Sequence, residues 1–196
     1  HERWNIAVEA ESRRRVDALD DLKFSAGEQW PDDIKAARKS DERPIVTINR
    51  INGFINQITN EQRQNRPSIR VSPVDDNADV DTAKVIQGLV RHIEYKSNAA
   101  SSYSTAFERA VRARLGYFRV VTEYCNPMSF YQDIKIKRVR NPFSVYLDPS
   151  YQQVDGSDAN WGFVFEDIPK KKFKTQYPKA AMAQWMAKEL YKERNN

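Results

Sequence analysis

Apolar side chains in the first half of the chain recur at the spacing of an α-helix. Residues 2–26 predict a long amphipathic helix, and a second short helix is predicted to begin at Asp32, after Trp30-Pro31. Three more helices are predicted over residues 48–63, about 80–93 and about 103–115, the last ended by Gly116. The predicted buried edge of the first helix consists of Trp4, Val8, Arg15, Leu19 and Leu22.

After Gly116 the pattern changes to strand-like alternation. Residues 117–125 and 131–140 predict two strands, joined by a hairpin loop at Asn126-Pro127-Met128-Ser129. Further strands are predicted at Phe143, Val145 and Leu147, at Trp161, Phe163 and Phe165, and earlier in the chain over residues 68–72. Helices over residues 170–177 and 178–194 are predicted to end the chain. The class is therefore α+β, with N-terminal helices followed by an antiparallel β-meander and C-terminal helices.

The length predicts a single α+β unit. The 196 residues include 30% charged and 40% hydrophobic residues, which is too polar for a membrane protein and too apolar for a disordered chain. We expect four parts in this unit: a helical arm (1–43), a helix–strand–helices part (44–116), the meander (117–168) and the C-terminal helices (169–196). One cysteine, Cys125, excludes an internal disulfide framework.

Signals for catalysis are poor, and the sequence predicts no catalytic residue, no metal site and no cofactor. The six glycines form no phosphate-binding loop, and His92 has no second ligand at metal-binding spacing. Residues 75–81 alternate side-chain oxygens like a calcium loop, but Val80 and Ile86 stand where the loop needs glycine and glutamate. An acidic cap on the following helix is the favoured interpretation. The alternative is a metal-dependent nuclease, in which Asp79→Ala would abolish activity.

Two basic clusters stand out from the mild net charge of +5. The first lies on a predicted strand and comprises Lys135, Lys137, Arg138 and Arg140, and the second begins a predicted helix and comprises Lys170, Lys171, Lys172 and Lys174. Solvated surfaces explain both clusters. The alternative function is a non-catalytic DNA-binding module, whose affinity for duplex DNA would fall steeply with salt.

Four asparagines, Asn49, Asn52, Asn56 and Asn60, are spaced 3, 4 and 4 residues apart on a predicted helix face. Asparagine is a mediocre helix former, so the stripe suggests hydrogen bonds to another backbone or to another subunit. A polar outer face of the helix remains the alternative.

Several short motifs follow one another along the chain. They are Glu11-Ser12-Arg13-Arg14, Asp21-Leu22-Lys23-Phe24, Gln29-Trp30, Arg43-Pro44-Ile45-Val46, Asn60-Glu61-Gln62-Arg63-Gln64-Asn65, Ile69-Arg70-Val71, Pro73, Asp79-Val80-Asp81, Leu115-Gly116-Tyr117-Phe118-Arg119-Val120-Val121-Thr122-Glu123-Tyr124, Val145-Tyr146-Leu147-Asp148-Pro149 and Ser157-Asp158-Ala159. In their order and spacing these motifs resemble the N-terminal part of portal proteins from short-tailed bacteriophages. The resemblance covers about residues 10–178.

The resemblance implies a structural role in the virion. Such proteins form a ring, usually of twelve copies, at one capsid vertex, and double-stranded DNA passes through its channel during packaging and ejection. The implied partners are the terminase motor, the capsid or scaffolding protein and tail adaptor proteins. Assembly is expected in the host cytoplasm, with no membrane involved. This stretch would belong to the outer wing, because the family's stem and clip regions come later.

A closed ring needs two different complementary surfaces on each copy. We therefore interpret Arg13, Arg14 and the asparagine stripe as contacts to neighbouring protein, because polar groups fix the orientation of an interface. Alanine substitutions that leave ring assembly unchanged would contradict this hypothesis.

Overall fold

The computed structural model describes residues 2–66, 68–74, 79–153, 156–166 and 168–180. The chain divides into two compact units, residues 1–164 and residues 165–196. In the described part of the first unit, five helices are followed by four short strands. The helices are α1 (Glu2–Ala26), α2 (Asp32–Ser40), α3 (Ile51–Gln64), α4 (Val80–Lys96) and α5 (Ala99–Ala113).

The helices predicted in the first unit are confirmed, except that α5 ends at Ala113 and not at Gly116, because Arg114 adopts the left-handed conformation there. The ends of α1 and α4 follow local chemistry. Gly27 adopts φ +112° after α1, where the amide of Glu28 donates to the carbonyl of Lys23 at 2.9 Å. Asp79 caps α4 because its side chain accepts hydrogen bonds from the Asp81 amide and the Thr82 hydroxyl. The first helix thus spans the predicted 25 residues.

The α+β class is confirmed, but the strands do not form one continuous meander. They are β1 (Phe118–Tyr124), β2 (Gln132–Arg138), β3 (Val145–Leu147) and β4 (Gly162–Val164). Among the described residues β1 pairs antiparallel with β2, and β3 pairs antiparallel with β4, as two separate sheets. A short 3₁₀ helix at Pro142–Ser144 separates them, and proline cannot donate to a ladder.

The strand predicted over residues 68–72 is wrong, because this segment pairs with no other strand in the described structure. A side chain replaces the missing ladder. The amide group of Gln87 on α4 accepts a hydrogen bond from the Val71 N–H at 3.3 Å and donates to the Ile69 carbonyl at 3.3 Å. The alternating pattern therefore marks an extended segment held by α4.

The core lies between α1, α5 and the chain that follows α5. Ala18, Ala113 and Leu115 are fully buried, and Leu22, Tyr117 and Phe143 pack against them. On α1 the fully buried residues are Ala7, Glu11, Ala18 and Ser25, which are mostly small and lie at other positions than those predicted for the buried edge. Leu19 of the predicted edge is exposed. Small side chains let α1 approach its neighbours closely, which the apolar pattern alone does not reveal.

The second unit contains one described helix, α6 (Lys170–Gln176), which begins after Pro169. The rings of Phe173 and Tyr177 lie 5.3 Å apart across its end. The helix predicted over residues 178–194 lies mostly outside the described residues.

Candidate functional site

A buried ion pair on α1 holds β3 in place. The Arg15 Nε donates to Glu11 Oε2 at 2.9 Å, and both side chains are nearly inaccessible. The two terminal nitrogens of the same guanidinium donate to the carbonyls of Phe143, at 2.7 Å, and of Val145. The Glu11 carboxylate also accepts a hydrogen bond from the Leu147 amide at 3.4 Å. We call Glu11, Arg15 and these three backbone groups the arginine anchor.

Aromatic rings complete the arginine anchor. The Arg15 guanidinium lies 3.4 Å from the centre of the Tyr146 ring, at cation–π distance. Trp4 packs edge-on against Tyr146 at 4.6 Å and against Phe163 of β4 at 5.7 Å. The small β3–β4 sheet is therefore joined to α1 by charge, hydrogen bonds and ring packing.

The apolar pattern places Arg15 on the predicted buried edge of α1 but indicates no role for it. The available signal was an arginine on an otherwise apolar stripe, four residues after a glutamate. That spacing brings the two side chains together on one helix face.

The predicted interface residues Arg13 and Arg14 differ in the contacts of their side chains. The Arg14 Nη1 donates to the Tyr151 hydroxyl at 2.9 Å, which ties α1 to the loop after β3. Arg13 is exposed and makes no hydrogen bond or ion pair with the described part of the chain. Of the two, Arg13 is thus available for another molecule.

The asparagine stripe divides into two halves. Asn49 and Asn52 both donate to the Ser25 carbonyl at the end of α1, at 2.8 and 3.3 Å. Asn52 also accepts from Arg112 Nη1 at 2.9 Å. These two amides join α1, α3 and α5 within one chain, whereas Asn56 and Asn60 are exposed.

The basic strand is partly neutralised within its own sheet. Lys135 and Lys137 lie on one face of β2, and both form ion pairs with Glu123 of β1. The hydrogen bond from Lys137 holds the pKa of Glu123 below its ordinary value. Arg138 and Arg140 are exposed and have no ion pair within the described ranges. The cluster therefore presents less free positive charge than its sequence suggests.

The acidic run caps α4 through Asp79, whereas residues 75–78 lie outside the described part. In the ranges that the structure describes, no three His, Cys, Asp or Glu side chains are close enough to hold a metal ion. None of the described helices has the length and apolar character needed to cross a membrane.

A cavity of about 610 Å³ lies where α3, α4 and α5 converge. Its charged groups already have partners in the chain, since Glu94 accepts from the Tyr103 hydroxyl at 3.1 Å and Lys96 pairs with Asp133 at 2.6 Å. The Gln62 Oε1 at its edge is buried without a hydrogen-bond partner.

Asp148 organises the loop that joins β3 to β4. Its carboxylate accepts a hydrogen bond from the Ser150 amide at 3.0 Å and two from Asn160, at 3.2 and 3.4 Å. The bond from the Ser150 amide is the main cause that lowers the pKa of Asp148. The ionised carboxylate therefore stabilises the folded loop.

We expect Asp148→Asn to weaken the acid sensitivity of the fold. A carboxyl group whose pKa is lower in the folded state stabilises the protein above its unfolded pKa of about 3.9 and loses this effect as the pH falls through the folded pKa. The urea midpoint of the variant should be lower than that of the parent at pH 6, and the difference should shrink at pH 3. A constant difference between the two pH values would contradict this role.

Many of the charged and amide side chains of this α+β segment thus form contacts that join helices, strands and loops of the same chain. The sequence matches the phage P22-like portal protein family over residues 1–195. The chain therefore belongs to this family, as its motifs predicted. A curated relative, the portal protein of Acyrthosiphon pisum secondary endosymbiont phage 1, is 29% identical over 161 residues, which cover 78% of this chain and 22% of the relative. The chain thus spans about a fifth of that relative's length.

Proposed function

We propose that this chain is the N-terminal part of a portal subunit that forms a ring at one capsid vertex. Double-stranded DNA would pass through the ring during packaging and ejection. The observation that carries the proposal is the family match over residues 1–195. The name of the curated relative, portal protein, supports it. The role assigned to this stretch is structural.

The partners follow from the same resemblance. We propose that the complete subunit assembles with about eleven further copies of itself and contacts the terminase motor, the capsid or scaffolding protein and the tail adaptors. Its site of action would be the virion, after assembly in the host cytoplasm. The resemblance assigns no substrate and no cofactor to this stretch.

The four basic residues of the β1–β2 sheet remain a second proposal, as contacts to DNA. The exposed side chains of Arg138 and Arg140 favour it, whereas the pairing of Lys135 and Lys137 with Glu123 weakens it. Affinity for duplex DNA that falls steeply with salt would support a DNA-binding surface.

The ring is tested by electron microscopy of the full-length protein, which should show closed rings with a central hole. If exposed polar side chains contact neighbouring copies, the triple variant Arg13→Ala, Asn56→Ala and Asn60→Ala should form fewer rings at equal protein concentration. Its thermal unfolding should stay close to that of the parent, because these residues lie at the surface.

A matched control is Asn49→Ala, which removes a hydrogen bond between the segment just before α3 and the end of α1 in the same chain. It should mainly lower the stability of the folded subunit, and its effect on ring assembly should be the smaller of the two. A full-length protein that remains monomeric would overturn the proposed function. Rings that are unaffected by the triple variant would overturn only the assigned interface.

A further inference from the structure

The β1–β2 hairpin ends in an exposed apolar patch. Met128 and Phe130 in its loop are 95% and 96% exposed, and Tyr131 and Tyr124 beside them are also largely accessible. We call these four residues the tip patch. Side chains of this size are seldom left in water as a group unless another surface covers them.

A second apolar patch surrounds the start of α3. It consists of Phe24, Val46, Ile48 and Phe54, all exposed, and we call it the junction patch. These residues flank the hydrogen bonds that join Asn49 and Asn52 to the Ser25 carbonyl. The junction patch therefore stands on a part of the molecule that its own polar contacts hold in place.

The two patches lie at opposite ends of α5. Arg112 in the last turn of α5 bonds Asn52, which fixes the junction patch at that end. At the other end, Ser97, just before α5, accepts a hydrogen bond from the Ile136 amide, and Lys96 pairs with Asp133 near the hairpin loop. Fifteen helical residues separate the ends by roughly 22 Å. One copy therefore cannot bring its own two patches together.

Backbone N–H groups beside each patch are also unpaired in the described structure, although the carbonyls of Pro44 and Val46 accept hydrogen bonds from the side chains of Arg38 and Trp30. Residues 43–50 belong to no helix, strand or turn, and the N–H groups of residues 45–48 make no hydrogen bond in the described structure. Strand β1 pairs with β2 alone among the described strands, so one edge of its seven residues is open. Extended segments with β-branched residues add readily to such an edge.

We propose that the tip patch and the open edge of β1 in one copy pack against the junction patch and residues 43–50 of the next copy. The proposal rests on the ring-forming function proposed above and names the surfaces that build the ring. A ring needs two different patches on each subunit, and this chain carries both.

The area of the tip patch agrees with a contact between subunits. Its three aromatic side chains would bury roughly 350–600 Å², given their exposure and the usual 150–250 Å² for a buried ring. A standard interface buries about 800 Å² on each partner. Met128 and the β1 edge supply further area. The patch is therefore large enough to be the main part of one side of an interface.

Cysteine cross-linking of the full-length protein tests the proposal. Arg50→Cys, beside the junction patch, is introduced while the natural, exposed Cys125 beside the tip patch is kept, so that both patches keep their apolar side chains. A short bismaleimide should then produce a ladder of covalent multimers, with a cross-linked peptide that joins residues 50 and 125. The control variant, Val85→Cys on the exposed face of α4 with Cys125 kept, should give no ladder.

A disruptive variant provides an independent measurement. Phe130→Ser should raise the protein concentration needed for half-maximal assembly at least about tenfold, since buried aromatic side chains dominate interface energies. Val85→Ser should leave this concentration unchanged.

The possible outcomes separate the two proposals. Rings that form without the cross-link between residues 50 and 125, or that tolerate Phe130→Ser, would overturn the assigned surfaces and leave the proposed function intact. A ladder of equal strength from the control variant would also overturn them. A protein that forms no ring by electron microscopy would overturn both the surfaces and the function.

Discussion

Replacing Arg15 with methionine is expected to lower the free energy of unfolding by about 3–5 kcal/mol, the usual cost of removing one partner of a buried ion pair. The substitution leaves the Glu11 carboxylate buried without its counterion. It also removes the donors that satisfy the carbonyls of Phe143 and Val145. Urea unfolding followed by circular dichroism measures the change.

Two comparisons make this prediction specific. Arg13→Met, two residues away on the exposed face of α1, should change the free energy of unfolding by less than about 0.5 kcal/mol. The double variant Glu11→Met with Arg15→Met should recover part of the loss, because it leaves no unpaired buried charge. An Arg15→Met protein as stable as the Arg13→Met protein would show that the arginine anchor does not hold β3.

The helices were predictable because their pattern is local. Apolar spacing located four of the five described helices of the first unit, and the Trp30-Pro31 step located α2. Local chemistry located the end of α1 at Gly27 and the start of α4 at Asp79. The β1–β2 hairpin was predictable for the same reason, since its two strands and loop are adjacent in sequence.

The failures concern contacts between residues far apart in sequence. Alternation in residues 68–72 predicted a strand, but whether an extended segment joins a sheet depends on which partner lies beside it, and here the partner is Gln87 of a helix. Likewise the alternation of β3 did not show whether it pairs with β2 or with β4. Arg15 contacts carbonyls almost 130 residues away, a separation that no local pattern encodes.

The candidate interface was predicted only in outline. Regular spacing identified the asparagine stripe, but the structure uses Asn49 and Asn52 inside the chain and leaves Asn56 and Asn60 at the surface. The same holds for the basic strand, where Glu123 of the neighbouring strand forms ion pairs with both lysines. Sequence spacing shows which side chains share a face, whereas the partner of each face depends on the tertiary packing.

Gly116→Ala is the second substitution for which we expect a large effect, because the chain at Gly116 lies very close to α5. It should lower the free energy of unfolding by about 3 kcal/mol or more. A Cβ atom at this position would lie 1.8 Å from the carbonyl oxygen of Ala106 and 3.0 Å from the amide nitrogen of Ala110. Both are backbone atoms of a helix, so no side-chain rotation relieves the overlap. The segment after α5 would have to move, and with it the fully buried Leu115 and the start of β1.

Gly88→Ala is the matched control for this substitution. Gly88 lies inside α4 with no atom within 4 Å of an added Cβ, so alanine should stabilise the protein by about 0.5–1 kcal/mol through its higher helix propensity. Thermal unfolding of both variants gives opposite shifts if contact with the α5 backbone is the cause. If both variants shift the unfolding temperature equally, overlap of the added Cβ with the α5 backbone is not the cause of the effect at Gly116. Because Gly116 directly precedes the hairpin that carries the tip patch, its variant should also assemble poorly, whereas the Gly88 variant should assemble like the parent.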